Sequence, residues 1–161
     1  MTDPWIFPDW PAPSPVHAAV TTRHGPGMSA PPFERFNLGR STGDSVEAVD
    51  ANRGALRQAL ALPAAPRWLR QVHGADVAEL GPLPSPDAPQ ADAAASACFA
   101  PTRPGHWRCD LAALARRQLT AAGVTRIHGG GFDTFTDPRL YSYRRDGGGS
   151  GRFASLVWLD P

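Results

Sequence analysis

The sequence has few cysteines and no long apolar run. Two cysteines, Cys98 and Cys109, occur among 161 residues, and their spacing matches no CxxC pair, so there is no zinc-ribbon or redox motif. No stretch approaches the roughly 18 apolar residues that a membrane-spanning helix needs. The first ten residues lack the basic start and apolar run of a signal peptide. We therefore expect a cytoplasmic protein that binds no membrane.

The sequence also lacks a strong charge of either sign. The formal net charge is +1, and basic residues never run longer than a pair. Nucleic-acid-binding proteins usually carry a basic face or stripe, so we expect no nucleic-acid partner. Small ligands, from neutral to anionic, remain compatible with this composition.

Proline is abundant, with 18 residues in several clusters. Each cluster removes backbone donors and ends helices and central strands, which predicts short elements joined by stiff loops. The pattern predicts strands over residues 16–23, 68–72, 75–80, 124–128 and 153–159. It predicts helices over residues 45–60 and 111–122, and no regular structure over residues 81–104. These elements follow no regular βαβ rhythm, so we predict a single α+β domain over residues 1–161 with a mixed sheet and flanking helices.

Capping residues predict where the two helices begin and where the second helix ends. Asp44, with Glu47 three residues later, forms a capping-box pattern at the first helix. Asp110 is the predicted N-cap of the second helix, and Gly123 stands where a left-handed residue ends a helix.

The five histidines include no pair at helical i, i+4 spacing and no HExxH motif. His73 is the strongest candidate for metal or acid–base chemistry, because it stands beside Gly74 at a predicted strand break. A half-buried histidine bonded to the backbone is the alternative. The string at residues 128–131 (HGGG) resembles an esterase oxyanion loop, but the sequence has no GxSxG nucleophile motif. Glycines that allow positive φ explain this string.

Tyr143-Arg144-Arg145-Asp146 is followed by a glycine-rich stretch. Arginines beside flexible backbone N–H groups can hold a phosphate or carboxylate. An Arg–Asp network with a hairpin turn before the last strand is the alternative.

Several segments, in order, resemble the YfiH, or laccase-domain, family. Residues 17–29 (HAAVTTRHGPGMS) resemble its N-terminal TTRxGGVS segment, and residues 68–74 (WLRQVHG) match its WLxQVHG signature. The remaining matches are the NLG at Asn37, the GD at Gly43, the NR at Asn52, the DL at Asp110, Thr134 and Phe135, and the closing run at residues 141–155 (YSYRRDGGGSGRFAS). Matched segments cover roughly residues 16–80 and 100–159.

The resemblance implies a single-domain α+β fold and purine-nucleoside chemistry. The implied reactions are phosphorolysis of adenosine, inosine or methylthioadenosine, and deamination of adenosine. The implied site holds one metal, zinc or copper, between a histidine, a cysteine and a second histidine. The QVHG histidine corresponds to His73, which makes His73 the implied metal ligand. The implied partners are a purine nucleoside and phosphate.

The other two ligand motifs, TADC and HAGWRG, are absent from the sequence. A proline- and alanine-rich junction at residues 81–104 stands in place of the central segment, so we predict a fold that lacks its middle part. The resemblance leaves two alternatives for the metal site, zinc or copper at His73 or no metal. Cys98 and Cys109 match neither motif, and two buried thiols are the simpler interpretation.

Three functional hypotheses follow. The first is the family function, impaired or lost, with His73, Arg23, Arg144 and Arg145 as catalytic residues; the arginine roles rest on the chemistry of phosphate neutralisation. The second is a non-catalytic remnant or oligomerising binding module, since a missing middle would expose apolar faces and favour a homodimer. The third, copper-dependent polyphenol oxidation, ranks last because the sequence has no HxH pair.

Overall fold

The computed structural model describes residues 3–68, 98–104 and 106–160 of the chain. The described residues form short strands and helices, which agrees with the predicted α+β class. In chain order the elements are β1 (Trp5–Ile6), β2 (Val16–Thr21), α1 (Val46–Ala59), β3 (Phe99–Arg103), β4 (His106–Cys109), α2 (Leu111–Ala121), α3 (Tyr143–Asp146), a 3-10 turn (Gly147–Gly149) and β5 (Ser155–Leu159). No helix among the described residues is long and apolar enough to cross a membrane.

The chain divides into two compact units. The first comprises Met1–Pro66 and Gly131–Pro161, and the second comprises Arg67–Gly130. The first unit therefore joins the two ends of the chain, and it contains three of the four sequence-predicted site residues.

A three-stranded antiparallel sheet forms the frame of the first unit. The central strand is β2, which pairs with β1 through Ile6 and Val20 and with β5 through Ala18 and Val157. The predicted strands over residues 16–23 and 153–159 are confirmed, although β2 ends two residues earlier and β5 begins two residues later. The strand β1 is only two residues long, too short for a sequence pattern to indicate.

The N-cap predicted for α1 is wrong by one residue. Ser45 is the N-cap, and its Oγ accepts a hydrogen bond from the Ala48 N–H at 3.1 Å. Asp44 instead directs one carboxylate oxygen towards Ser29 and Asn37. Capping patterns identify a polar residue near a helix start, but tertiary partners decide which of two adjacent candidates caps the helix.

Apolar side chains of α1 belong to the buried core of this unit. The buried set includes Phe36, Leu38, Val49, Leu56, Ala19 and Leu140. Each such side chain contributes roughly 1.5–3 kcal/mol through burial if it is as large as leucine or valine. This core holds α1 against the loops that carry the polar residues of the unit.

The second unit contains a two-stranded antiparallel sheet, β3 with β4. The expectation of irregular chain up to residue 104 is wrong over Phe99–Arg103. Pro101 lies within β3, beside a register irregularity between Pro101 and Arg103. A strand can contain proline where no ladder hydrogen bond is required of its nitrogen, at an edge or a bulge.

The capping predicted for α2 is confirmed at both ends. The Asp110 carboxylate accepts a hydrogen bond from the Ala113 N–H at 2.9 Å. At the other end Gly123 has φ of 85°, and Val124 N–H donates to the Leu119 carbonyl at 2.9 Å, as in a Schellman motif. The strand predicted over residues 124–128 is wrong, because no regular structure follows Gly123 there. Of the other predicted strands, residues 69–72 and 75–80 lie outside the described residues.

Candidate functional site

The structure places three of the four predicted site residues in the first unit. Arg23 follows β2, while Arg144 and Arg145 lie on the short helix α3. His73 lies outside the described residues, so its metal or acid–base role remains a prediction.

Backbone hydrogen bonds fix the position of Arg23 independently of its side-chain contacts. Its N–H donates to the Arg139 carbonyl at 2.8 Å, and its own carbonyl accepts from the Arg35 N–H at 3.3 Å. The guanidinium carbon lies 4.8 Å from the centre of the Tyr141 ring, within cation–π range. Arg23 Nη2 donates to Asp146 Oδ2 at 2.7 Å. The end of β2 and helix α3, far apart in sequence, thus meet at Asp146.

Asp146 joins two arginines. Arg145 Nε donates to Asp146 Oδ1 at 2.8 Å, and Arg145 Nη2 donates to Asp146 Oδ2 at 3.0 Å. The hydrogen bonds from Arg145 are the main reason that the pKa of Asp146 lies below its ordinary value, with the Ser142 N–H and the charge of Arg23 adding to the effect. The Asp146 side chain is 22% exposed, and it stays ionised at neutral pH.

Arg145 also stabilises the loop before α3 through hydrogen bonds to its backbone. Its guanidinium donates to backbone carbonyls of Thr134, Phe135, Asp137 and Leu140, at distances from 2.6 to 3.2 Å. These bonds and the pair with Asp146 occupy the Arg145 donors. The Arg–Asp network considered for this motif is therefore present, while a helix and a 3-10 turn stand where a hairpin turn was the expectation.

Arg144 differs from its neighbour. It is exposed, and within residues 3–68, 98–104 and 106–160 no hydrogen bond or ion pair engages it. Its guanidinium is free to meet a ligand from solvent.

Tyr141 is a site residue that sequence reasoning missed. Its ring is buried, and its hydroxyl donates towards the Phe33 and Glu34 carbonyls at 2.7 and 2.8 Å. Burial is the main reason that the pKa of Tyr141 is raised, so the phenol stays protonated at neutral pH. A Cβ on Gly151 would lie 2.8 Å from the ring, which explains a glycine there. The sequence signal was its place in the closing motif, but nothing in the spacing showed its contact with Arg23.

Other motif residues form a polar network around two fully buried amides, Asn37 and Asn52. Asn37 Nδ2 donates to Asp44 Oδ2 at 2.9 Å and its Oδ1 accepts from the Arg152 N–H at 2.8 Å. Asn52 Nδ2 donates to Ser29 Oγ at 2.8 Å and to the Asn37 carbonyl at 2.9 Å. The NLG, GD, NR and GR pieces of the resemblance therefore meet each other and hold loops together.

The described residues do not fit a three-ligand metal centre. Within the part of the chain that the structure describes, no group of three His, Cys, Asp or Glu side chains is placed to hold an ion. Cys98 and Cys109 are both free thiols, and Cys98 is buried. His17 is engaged elsewhere, with its Nε2 lying 2.8 Å from Asp160 Oδ2. A catalytic zinc usually takes three protein ligands, so no step of the chemistry can be assigned to a metal on these residues.

Comparison with known proteins gives a consistent set of relatives. The family model described as "Multi-copper polyphenol oxidoreductase laccase" matches residues 17–98 and 87–160. A protein of Pseudomonas aeruginosa named purine nucleoside phosphorylase is 34% identical, with 96% of this chain and 98% of that protein covered. A protein of the same name from Xylella fastidiosa is 32% identical over 253 aligned residues, with 96% of this chain and 97% of that protein covered.

A solved structure is similar as well. The Neisseria meningitidis protein NMB0706, assigned to DUF152, is 25% identical and superposes with a TM-score of 0.80. The match covers 99% of this chain and 100% of that chain. The two chains share a fold.

The lowered pKa of Asp146 predicts a pH-dependent contribution to stability. The folded state favours the ionised carboxylate, so the stabilisation is complete above the unfolded-state pKa of about 4 and is lost as pH falls through the lower folded-state pKa. Replacing Asp146 with Asn should cost about 2 kcal/mol of unfolding free energy at pH 7 and progressively less below pH 4. Urea unfolding of both proteins across this range measures the difference.

The exposed Asp9 provides the control, because Asp9→Asn should leave the unfolding free energy at pH 7 nearly unchanged. A wild-type advantage over Asp146→Asn that stays constant from pH 7 to pH 3 would contradict the assignment.

Proposed function

The chain belongs to the multi-copper polyphenol oxidoreductase laccase family, and on that membership we propose purine-nucleoside chemistry, impaired or lost in this chain, as its function. The names of the Pseudomonas and Xylella relatives support this reaction class. The candidate substrates are a purine nucleoside with phosphate or, for deamination, with water. Cytoplasmic localisation forms part of the same proposal.

The proposal rests on a contrast within the described residues: the arginines are held in place, whereas no complete set of metal ligands is present. Arg23 is held against Tyr141 and Asp146, and its buried Nε has no hydrogen-bond partner within the described residues. The Arg23 side chain as a whole is 26% exposed, so it and the exposed Arg144 can supply positive charge to a phosphate. Arg145 has a positioning role, because hydrogen bonds from its guanidinium hold the loop before α3 and the Asp146 carboxylate in place.

In phosphorolysis, a phosphate oxygen bonds to the ribose C1′ as the bond from C1′ to the purine nitrogen breaks. The departing purine takes a proton, and fixed cations neutralise the phosphate. We assign the cationic role to Arg23 and Arg144 and the proton-donor role to His73. Where a metal is bound, it would supply electrostatic stabilisation, and His73 is the one ligand carried over from the family motif.

The alignment lengths support an internally shortened chain. The Xylella relative aligns over 253 positions, whereas this chain has 161 residues, so the alignment passes over positions that this chain does not have. The two family-model matches overlap at residues 87–98, inside the proposed junction at residues 81–104. We therefore place the missing cysteine and second-histidine motifs in the lost segment. Loss of members of a catalytic unit commonly lowers rates by orders of magnitude.

Turnover of adenosine and inosine, with and without phosphate, tests the proposal on protein of measured metal content. We expect a rate at least about 100-fold below that of the Pseudomonas aeruginosa relative assayed in parallel, because the ligand set is incomplete. Any residual phosphate-dependent rate should fall at least a further 10-fold in Arg23→Gln and in His73→Ala.

Arg57→Gln, on the exposed end of α1, is the matched arginine control and should keep the wild-type rate. A rate equal to that of the relative, or a residual rate that survives both site substitutions, would overturn the proposal.

An oligomerising binding module is the second candidate, and β5 favours it. Val157 is 69% exposed and Leu159 is 61% exposed, and their register partners on β2 are Ala18 and Val16. Among the described strands, β5 pairs with β2 alone. An apolar edge strand without charged or proline residues favours pairing with another chain. A homodimer through β5 is therefore the form that this candidate takes.

Size-exclusion chromatography with light scattering tests the homodimer. We expect twice the 17.2 kDa mass of one chain, and Val157→Lys should shift the protein to monomer because a charge blocks edge pairing. Phe7→Lys, at another exposed apolar position, is the control and should remain dimeric. A monomeric wild-type protein would eliminate the homodimer.

Copper-dependent oxidation of phenols, which the family description names, receives the least support. Such oxidases hold several coppers through paired histidines, and the sequence has no HxH pair. Zinc and copper both remain proposals for the His73 motif.

A further inference from the structure

A cleft of about 510 Å³ opens beside β1, and its side chains have no part in the proposed turnover. Residues that line it include Pro4, Trp5, His24, Pro26 and Arg35. All belong to the first compact unit. The volume falls within the range of about 300–1,000 Å³ that small-molecule sites occupy, and it is several times larger than a phosphate ion requires.

The floor of the cleft is preformed. The Trp5 ring meets the Phe36 ring edge to face, with centroids 5.7 Å apart and planes at 74°. Phe36 is completely buried, and a Cβ on Gly25 would lie 2.1 Å from its ring. Glycine is therefore required at position 25 for the loop to close over Phe36. Trp5 rests against a side chain that cannot move aside.

Backbone bonds fix the two polar walls. His24 N–H donates to Thr22 Oγ1 at 3.2 Å, and Arg35 N–H donates to the Arg23 carbonyl at 3.3 Å. These bonds hold the segments that carry His24 and Arg35 next to each other. A site with a fixed backbone loses less conformational entropy when it binds a ligand.

The polar groups of the cleft favour an anion. Within the described ranges no carboxylate lines it, and neither the His24 imidazole nor the Arg35 guanidinium has a hydrogen-bond or ion-pair partner there. A guanidinium matches phosphate with two parallel hydrogen bonds. Trp5 adds an aromatic surface on which a planar ring can stack.

We propose that this cleft binds a small heteroaromatic molecule that carries a phosphate, of the nucleoside monophosphate class. Arg35 and His24 hold the phosphate, and Trp5 contacts the ring. The site is independent of the nucleoside turnover proposed above, because it uses neither His73 nor the Arg23–Asp146 pair.

Isothermal titration of the full chain with adenosine 5′-monophosphate tests the proposal, with adenosine alone and inorganic phosphate alone as separate titrants. We expect saturable binding of the monophosphate, and at least about 10-fold weaker binding of either part, since each part lacks the contacts that the other part makes. Arg35→Gln and His24→Gln should each weaken the monophosphate by about 10-fold, as expected for loss of a charge-assisted hydrogen bond. Circular dichroism before titration verifies that each variant is folded.

Two controls separate this site from the proposed function. Arg117→Gln, an exposed arginine of α2, and His73→Ala should both bind the monophosphate with wild-type affinity, whatever the turnover assay gives. Absence of saturable binding, unchanged affinity in Arg35→Gln, or loss of binding in His73→Ala would overturn the proposal. Phosphate alone binding as tightly as the monophosphate would also overturn it, because the ring would then contribute nothing.

Discussion

One partly buried carboxylate, that of Asp44, holds the first unit together. Asp44 Oδ2 accepts hydrogen bonds from Ser29 Oγ at 2.6 Å and from Asn37 Nδ2 at 2.9 Å. Asn52, fully buried on α1, extends this network to Ser29 and to the Asn37 carbonyl. Buried polar groups are costly unless each has a partner, so the loops must adopt the arrangement that satisfies all of them. The position of α1, and with it the sheet and the cleft beside β1, depends on this arrangement.

The network also explains how this chain keeps its family's fold although two of the implied ligand motifs are absent from its sequence. Asn37, Asp44 and Asn52 belong to the pieces that carry the resemblance, and each makes contacts within the first compact unit. The closing motif joins them, because the Arg152 N–H donates to Asn37 Oδ1. The missing motifs, by contrast, are those that the resemblance assigns to metal ligands. The fold and the proposed metal chemistry thus rest on different residues.

Local signals predicted the local structure well. The Asp110 cap, the left-handed Gly123 and the strands β2 and β5 all follow from side-chain chemistry within a few residues. The errors have tertiary causes: Asp44 looked like a cap but is used by Ser29 and Asn37, and the apolar residues at 124–128 form no strand. The strand β3 was not predicted because it contains proline. A sequence pattern cannot distinguish an edge position, which tolerates proline, from a central position, which does not.

The site was only partly predictable for the same reason. Sequence chemistry selected Arg23 and Arg145 as cations, but only the fold shows that they share Asp146. It also shows that Arg145 serves the loop before α3, whereas Arg144 faces solvent. No sequence signal indicated the contact between Tyr141 and Arg23 or the Trp5 cleft, since these contacts join segments distant along the chain. The motif resemblance identified the residues, whereas long-range contacts determine what each residue does in the structure.

Urea unfolding of Asn52→Ala is the most direct test of the claim that the buried network holds this fold. The substitution leaves the Met28 N–H, which now donates to Asn52 Oδ1 at 2.8 Å, without its partner inside the protein. We predict a loss of about 3 kcal/mol in unfolding free energy with an unchanged m-value. Gln58→Ala, exposed on the same helix, should change it by less than about 0.5 kcal/mol. An Asn52→Ala protein as stable as Gln58→Ala would contradict the account.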